Sequence, residues 1–180
     1  MRTKQTGFTM IELIVVIVIL GILSAVALPR FTNIQGDARI AKLNAARGSI
    51  AAAAAMTHGA AIVRQGLVLP ACPSGGVVPL IAAATGSGTL CTENGNIDIT
   101  LLYPAGTLAG VVAAAGLVPG NAVPTALTLA TEGYATATAG TVLTVQVTGG
   151  SAAANCSFSY TPPTVIGAAP AISAVVTTGC

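Results

Sequence analysis

The sequence has little charge and few residues capable of acid–base or metal chemistry. Asp, Glu, Lys and Arg make up 7% of 180 residues, against about 25% in an ordinary soluble domain. No Lys or Arg follows Arg64, so nucleic-acid binding by the C-terminal two-thirds is not expected, because phosphate affinity comes from clustered basic residues. With one histidine and five carboxylates, neither an enzyme nor a bound cofactor is expected. The 53% of apolar residues excludes a wholly disordered chain.

A long apolar run follows a short basic N-terminus. Residues 1–7 include Arg2 and Lys4, whereas residues 8–28 contain one charged residue, Glu12. As an α-helix this run is about 31 Å long, close to the ~30 Å hydrocarbon core of a bilayer. The basic residues before it place the N-terminus in the cytoplasm. The pattern favours a membrane-spanning helix over a buried core helix, whose apolar positions would alternate with polar ones.

Two processing schemes compete for this run. An ordinary signal peptide would be cleaved after Ala25-Val26-Ala27, which fits the small-x-small pattern and would release a soluble exported protein. Cleavage between Gly7 and Phe8 would instead retain the helix. Glu12 favours the second scheme, because a carboxylate in a signal's apolar stretch opposes insertion. Cleavage after Gly7 creates a new amine on Phe8, four residues before Glu12, and this amine is a cation with which a carboxylate can pair.

The run Gly7-Phe8-Thr9-Met10-Ile11-Glu12-Leu13, with the apolar residues and Pro29 that follow, resembles the N-terminus of type IV pilins. The resemblance implies that a prepilin peptidase cleaves after Gly7 and N-methylates Phe8. It also implies a precursor that spans the inner membrane once and that assembly machinery there adds to an extracellular adhesion or motility pilus, a homopolymer of pilin subunits. A type II secretion pseudopilin, in a periplasmic pseudopilus, and a minor pilin are the alternatives.

Stacking of parallel helices would carry Glu12 into an apolar bundle. A lone buried carboxylate costs several kcal/mol, whereas one that is paired and hydrogen-bonded is tolerated. The available cation is the Phe8 amine of a neighbouring subunit. We therefore expect Glu12 to set the axial register between subunits, because wrong offsets leave it unpaired.

The helix is expected to continue beyond the membrane. Pro29 predicts a kink, because proline removes a backbone donor and clashes with the preceding turn. Ile40, Leu43, Ile50 and Ala54 follow helical spacing and could face a sheet. The predicted organisation is a leader at residues 1–7, a membrane or filament-core helix at 8–30, its continuation at 31–66, and a β-rich head at 67–180.

Gly, Pro and Thr punctuate short apolar runs in the head. Strands are predicted at residues 97–102, 141–148, 156–160 and 172–177, each rich in Val, Ile, Thr or aromatic residues. Residues 108–117 predict a short helix. The fold class is α+β, with the long N-terminal helix packed on a C-terminal antiparallel sheet, as in type IV pilins.

The four cysteines are expected to form disulfides, because an even number in an exported segment favours bridges over thiols. Three pairings are possible. Cys72–Cys91 and Cys156–Cys180 are favoured because each closes a local loop of about 20 to 25 residues. The second resembles the disulfide-bounded loop of type IV pilins, which implies that residues 161–179 form an outer surface. Residues 98–104 and 158–180 resemble, more narrowly, mannose-sensitive haemagglutinin-type pilins.

Three other patterns have structural explanations. His58 has no second ligand beside it, so a packed or exposed helix residue is expected. Glu93, Asn94, Asn96 and Asp98 are the only candidate calcium ligands, but a polar turn explains them equally well. Asn155 matches the glycan-acceptor pattern, and its position before a cysteine favours a structural role.

Overall fold

The computed structural model describes residues 8–72, 79–120 and 123–180, without the side chains of residues 32 and 33. The predicted leader, residues 1–7, lies outside the described residues. The chain divides into two compact units between Ala38 and Arg39.

Helix α1 extends from Met10 to Arg64 and contains 55 residues. Its later part is rich in Ala, the strongest helix former. The helix assignment is continuous through Pro29, and the kink expected there stays a prediction. Shortly after Arg64, Gly66 adopts a φ of 77°, the left-handed conformation in which helices commonly end.

Two antiparallel sheets follow α1 in the second unit, in the orders β1-β2-β3 and β4-β5-β6-β7. The strands are β1 Gly88–Thr92, β2 Gly95–Thr100, β3 Tyr103–Pro104, β4 Tyr134–Ala139, β5 Val142–Val147, β6 Ser157–Thr161 and β7 Ala171–Ile172. Shorter elements are a π-helical turn at Leu108–Val112, helix α2 at Ala126–Thr131 and a 3-10 turn at Ala153–Asn155. The predicted α+β architecture is confirmed, with two sheets in place of one.

Strands β5 and β6 confirm the predictions at residues 141–148 and 156–160. The prediction at residues 97–102 extends too far. Strand β2 ends at Thr100 because Leu101 and Leu102, with φ values of 51° and 70°, form the turn into β3. The prediction at residues 172–177 is wrong beyond Ile172, and Val176 forms only an isolated bridge to Ser157.

The helix predicted at residues 108–117 begins instead as a π-helical turn. Gly110 within it has non-helical backbone angles (φ −91°, ψ −105°). A Cβ atom at this position would lie 2.2 Å from the carbonyl oxygen of Ala105, so only glycine permits this close approach.

One face of the later part of α1 supplies the main core. Leu43 and Ile50 are fully buried and Ala54 nearly so, whereas Ile40 is half-buried. This confirms the predicted helical stripe. Leu43, Ile50 and Ala54 pack in one cluster with apolar residues of the four-stranded sheet, namely Tyr134, Leu143, Val145, Val147, Phe158 and Tyr160. A second cluster joins Ala61 to the three-stranded sheet through Leu90, Ile97 and Ile99.

Candidate assembly site

The first part of α1 exposes its apolar side chains. Ile17 is 57% exposed and Leu23 60%, and most apolar side chains of residues 10–31 are similar. Burying one side chain of this size stabilises a protein by about 1.5–3 kcal/mol, so contact of the whole stretch with water is strongly unfavourable. By length and composition, α1 can cross a membrane. The stretch therefore requires a bilayer or a packed protein surface around it.

Glu12 and Thr9 form a capping box at the start of α1. The backbone N–H of Thr9 donates to Glu12 Oε2 at 2.9 Å, and the Thr9 hydroxyl donates to the same oxygen at 2.8 Å. The backbone N–H of Glu12 approaches Thr9 Oγ1 at 3.4 Å. A Thr followed three residues later by Glu is the usual sequence signature of this cap. The spacing of Thr9 and Glu12 is the sequence signal for this second role of Glu12, which the expected contact with another subunit does not include.

The other predicted maturation residues lie at the N-terminal end of the described chain. Phe8 is 93% exposed and precedes α1 by two residues. Gly7 lies outside the described residues. Glu12 is therefore about one helical turn from the residue whose amine would be freed by cleavage.

Basic side chains of α1 in the second unit bond to main-chain carbonyls of the same unit. Each of the four on the later part of α1 donates a hydrogen bond to a main-chain carbonyl that is distant in sequence. These pairs are Arg39 with Cys180, Lys42 with Glu132, Arg47 with Ser173 and Arg64 with Cys91. Lys42 also lies over the Tyr134 ring, with Nζ 4.3 Å from the centroid. These cations attach the head segments to α1.

Two disulfide bonds close local loops in the second unit. Cys72 bonds to Cys91 on β1, and Cys156 bonds to Cys180. In the loop closed by the second bond, Val165 and Ile166 are exposed at 61% and 57%. This loop is the predicted outer surface.

His58 stacks on Tyr103, with ring centroids 3.9 Å apart and planes 4° from parallel. Its Nδ1 lies 3.0 Å from the carbonyl oxygen of Leu102. His58 is therefore a packed residue that fixes the turn between β2 and β3.

The acidic turn considered for calcium connects β1 and β2. Asn94 there donates from Nδ2 to the carbonyl of Ala114 at 3.3 Å, and Glu93 is exposed. Within residues 8–72, 79–120 and 123–180, no three His, Cys, Asp or Glu side chains are grouped as a metal site.

Comparisons with known proteins agree with the N-terminal geometry. Residues 2–28 match the family model described as the prokaryotic N-terminal methylation motif. The chain is 36% identical over 94 residues to the type IV narrow pilus major component PilA5 of Thermus thermophilus, which covers 52% of this chain and 75% of that protein. No solved structure matches the chain significantly.

Two further relatives match over shorter regions. The type IV major fimbrial protein FimA of Dichelobacter nodosus is 36% identical over 50 residues, 28% of this chain and 32% of that protein. The type IV major pilin protein PilE1 of Neisseria gonorrhoeae is 50% identical over 42 residues, 23% of this chain and 26% of that protein. These relatives are named as major pilus components, which does not favour a pseudopilin or minor pilin. The chain therefore belongs to the type IV pilin family and is a structural pilin subunit.

Proposed function

We propose that the protein polymerises into a type IV pilus through residues 8–31. The observation that carries this proposal is the exposed apolar stretch of α1, in which Glu12 is the single charged side chain before Arg30. Covering such a stretch removes apolar surface from water or exchanges lipid for protein contacts. Parallel copies of the same stretch provide a surface of matching chemistry, and head-to-tail contacts that do not close into a ring generate a helical filament.

Maturation prepares this stretch for assembly. A prepilin peptidase removes residues 1–7 by cleaving the bond between Gly7 and Phe8, and then methylates the Phe8 amine. Before assembly the precursor spans the inner membrane once, with Arg2 and Lys4 on the cytoplasmic side. The inner-membrane assembly machinery then transfers it to an extracellular pilus used for adhesion or motility.

Glu12 selects the axial offset between subunits. In the single chain, both hydrogen bonds from Thr9 reach Oε2, and no other bond to this carboxylate occurs in the part of the chain that the structure describes. Oε1 is therefore available to accept from the Phe8 amine of a neighbour. An offset that separates the amine from Glu12 leaves a buried carboxylate uncompensated, which costs about 3–5 kcal/mol.

Within the family, we propose the mannose-sensitive haemagglutinin type as the subclass. The support is the resemblance of residues 98–104, which include β3, and of the segment from Phe158 to Cys180. The test is haemagglutination by sheared filaments with and without mannose. Inhibition by mannose supports this subclass, and agglutination that mannose does not change contradicts it.

The proposed function is tested by mass spectrometry and electron microscopy of sheared surface filaments. The main component is expected to lack residues 1–7 and to carry one additional methyl group. A mature chain that begins after Ala27 would contradict retention of the apolar stretch.

The role of Glu12 is tested in the same preparation. Glu12→Ala should leave membrane insertion and leader cleavage intact and lower filament yield at least about tenfold, because offsets are no longer discriminated. Glu93→Ala removes one exposed carboxylate from the second unit and serves as the matched control. Wild-type filament yield from Glu12→Ala would contradict the role in register.

A further inference from the structure

Two exposed charged side chains of the first unit make no hydrogen bond or ion pair with the residues that the structure describes. Residues 8–38 contain three charged side chains, namely Glu12, Arg30 and Asp37. Arg30 and Asp37 are exposed, and within the described part of the chain neither makes a hydrogen bond or ion pair. The basic residues on the later part of α1 are, in contrast, all bonded to main-chain carbonyls.

On an ideal straight helix these three charges would share one face. At 3.6 residues per turn, Arg30 follows Glu12 by about five full turns and Asp37 follows Arg30 by about two. An ideal helix therefore places the three side chains in one stripe about 20° wide. When parallel copies pack around a common axis with this stripe inward, every charge of one copy lies beside the stripes of its neighbours.

We propose that Arg30 of one subunit pairs with Asp37 of a neighbouring copy and forms a second register contact in the filament. The inference rests on the proposed polymerisation. The partner is a second copy of this chain, because the two groups carry opposite charges and continue the stripe of Glu12 past the end of the stretch, residues 8–31, that polymerisation would cover. The new contact lies beyond Pro29, at the opposite end of the apolar stretch from Glu12.

The same axial offset between neighbouring subunits is compatible with both contacts, the Phe8 amine with Glu12 and Arg30 with Asp37. Arg30 and Asp37 are about 10.5 Å apart along the helix axis. Glu12 is about 6 Å from the Phe8 amine if residues 8–12 are helical, and about 10 Å if the two residues before α1 are extended. Because the arginine side chain is long and flexible, a single offset of about 6 to 10 Å brings both pairs within reach.

The competing partners are less suitable. Arg39 and Lys42 already donate to the carbonyls of Cys180 and Glu132. Among the described residues near Asp37, Arg30 is the cation that makes no hydrogen bond or ion pair. Lipid phosphate could contact Arg30 in the membrane, but it would repel Asp37. A role confined to lipid binding therefore predicts an effect of Arg30 variants and none of Asp37 variants.

Charge reversal tests the pair. Arg30→Asp and Asp37→Arg should each lower filament yield at least about tenfold, because like charges would face each other at every contact. The double variant R30D/D37R should restore the yield to within about threefold of wild type, since each contact again joins opposite charges. Glu93→Arg changes net charge as Asp37→Arg does and should leave the yield unchanged. Leader cleavage and membrane content of each variant are measured in parallel.

The outcomes separate this inference from the proposed function. Wild-type yield from both single variants, or a double variant no better than the singles, overturns the pair. An effect of Arg30→Asp alone assigns Arg30 to lipid and also overturns it. If the wild-type chain forms no filaments, the proposed function itself fails.

Cross-linking gives a second measurement that does not depend on charge rescue. Filaments of the double variant R30C/D37C, treated with a short bismaleimide, should give a ladder of oligomers on a denaturing gel. Filaments of R30C alone should not extend beyond dimers. Absence of a ladder from R30C/D37C filaments overturns the proposal.

Discussion

In the first unit, the side chains of Ile17 and Leu23 are more than half exposed. In the second unit, those of Ile50 and Leu143 are completely buried. The charged side chains differ in the same way. Arg47 in the second unit donates to the carbonyl of Ser173 at 2.8 Å, whereas Arg30 in the first unit is exposed. The second unit buries apolar side chains in its own core and bonds its basic side chains to its own carbonyls. The apolar side chains of the first unit would be buried to a similar extent only by other copies or by lipid.

The largest difference should appear when the same substitution is made in both units. Leu143→Ala should lower the free energy of unfolding of the second unit by about 2–5 kcal/mol, because it leaves a cavity in a packed core. Leu20→Ala removes an exposed side chain and should leave that value unchanged within about 0.5 kcal/mol. Denaturant unfolding of the full chain in detergent measures both. Equal loss of unfolding free energy from Leu143→Ala and Leu20→Ala would contradict this difference in packing between the two units.

Removing a disulfide should have the next largest effect. The bonds Cys72–Cys91 and Cys156–Cys180 close loops with sequence separations of 19 and 24. Each should contribute roughly 3 kcal/mol by restricting the unfolded chain. The double variants C72S/C91S and C156S/C180S, compared with wild type by denaturant unfolding, test this. Non-reducing peptide maps must show these two pairs, and crossed pairs would contradict the loop assignment.

The buried hydrogen bond of Tyr160 should contribute about 1–2 kcal/mol to the free energy of unfolding of the second unit. Its hydroxyl donates to the carbonyl of Pro104 at 2.8 Å, and Tyr160→Phe leaves that buried acceptor without its donor. Burial, and secondarily the charge of Tyr103, raises the pKa of the Tyr160 phenol. Unfolding at neutral pH measures the loss. An unchanged stability of Tyr160→Phe would show that the bond does not contribute.

The raised pKa of Tyr160 also makes the free energy of unfolding depend on pH. Above pH ~10 the folded state retains the Tyr160 proton, whereas the unfolded chain releases it. The free energy of unfolding is therefore unaffected by this group below pH ~10 and falls as the pH rises further. Tyr134 acts in the same direction, because burial and then the Glu132 charge raise its pKa. Tyr160→Phe should therefore reduce the alkaline loss by up to about 1.4 kcal/mol per pH unit. An identical alkaline slope in wild type and variant would contradict this linkage.

The smallest effect is expected from the basic side chains. Arg47→Met keeps much of the apolar stem and removes the bond to Ser173, so it should lower the stability of the second unit by about 0.5–1.5 kcal/mol. Arg30→Met serves as the control from the first unit and should leave that stability unchanged. Denaturant midpoints of the two variants measure the difference, and equal midpoints would contradict the distinct uses of the two arginines.

Features encoded by local pattern could be predicted from the sequence. The apolar run, the helical stripe of Leu43, Ile50 and Ala54, and strands β5 and β6 all follow hydrophobic spacing. The local loops between cysteines favoured the pairing that the structure contains. The capping box of Thr9 and Glu12 also has a local signature, Thr-x-x-Glu, although the predicted role of Glu12 is confined to a contact between subunits.

Other features depend on tertiary contacts and carry little local signal. Strand β4 has the sequence YATATA and buries only Tyr134, so its pairing with β5 determines it. The turn at Leu101 and Leu102 has positive φ values normally taken by Gly or Asn. It is held by the carbonyl of Gly86, which accepts from the Leu102 N–H at 2.7 Å, and by His58.

We propose that Glu12, in an exposed apolar helix, pairs with the freed amine of another copy. A cryo-electron-microscopy structure of the sheared filament tests this most directly, through the distance between a Glu12 carboxylate oxygen and the Phe8 nitrogen of the adjacent subunit. We expect a distance within about 4 Å, the range of an ion pair, with residues 10–31 enclosed by neighbouring copies. A Glu12 carboxylate bonded only to its own Thr9, or facing solvent, would contradict it.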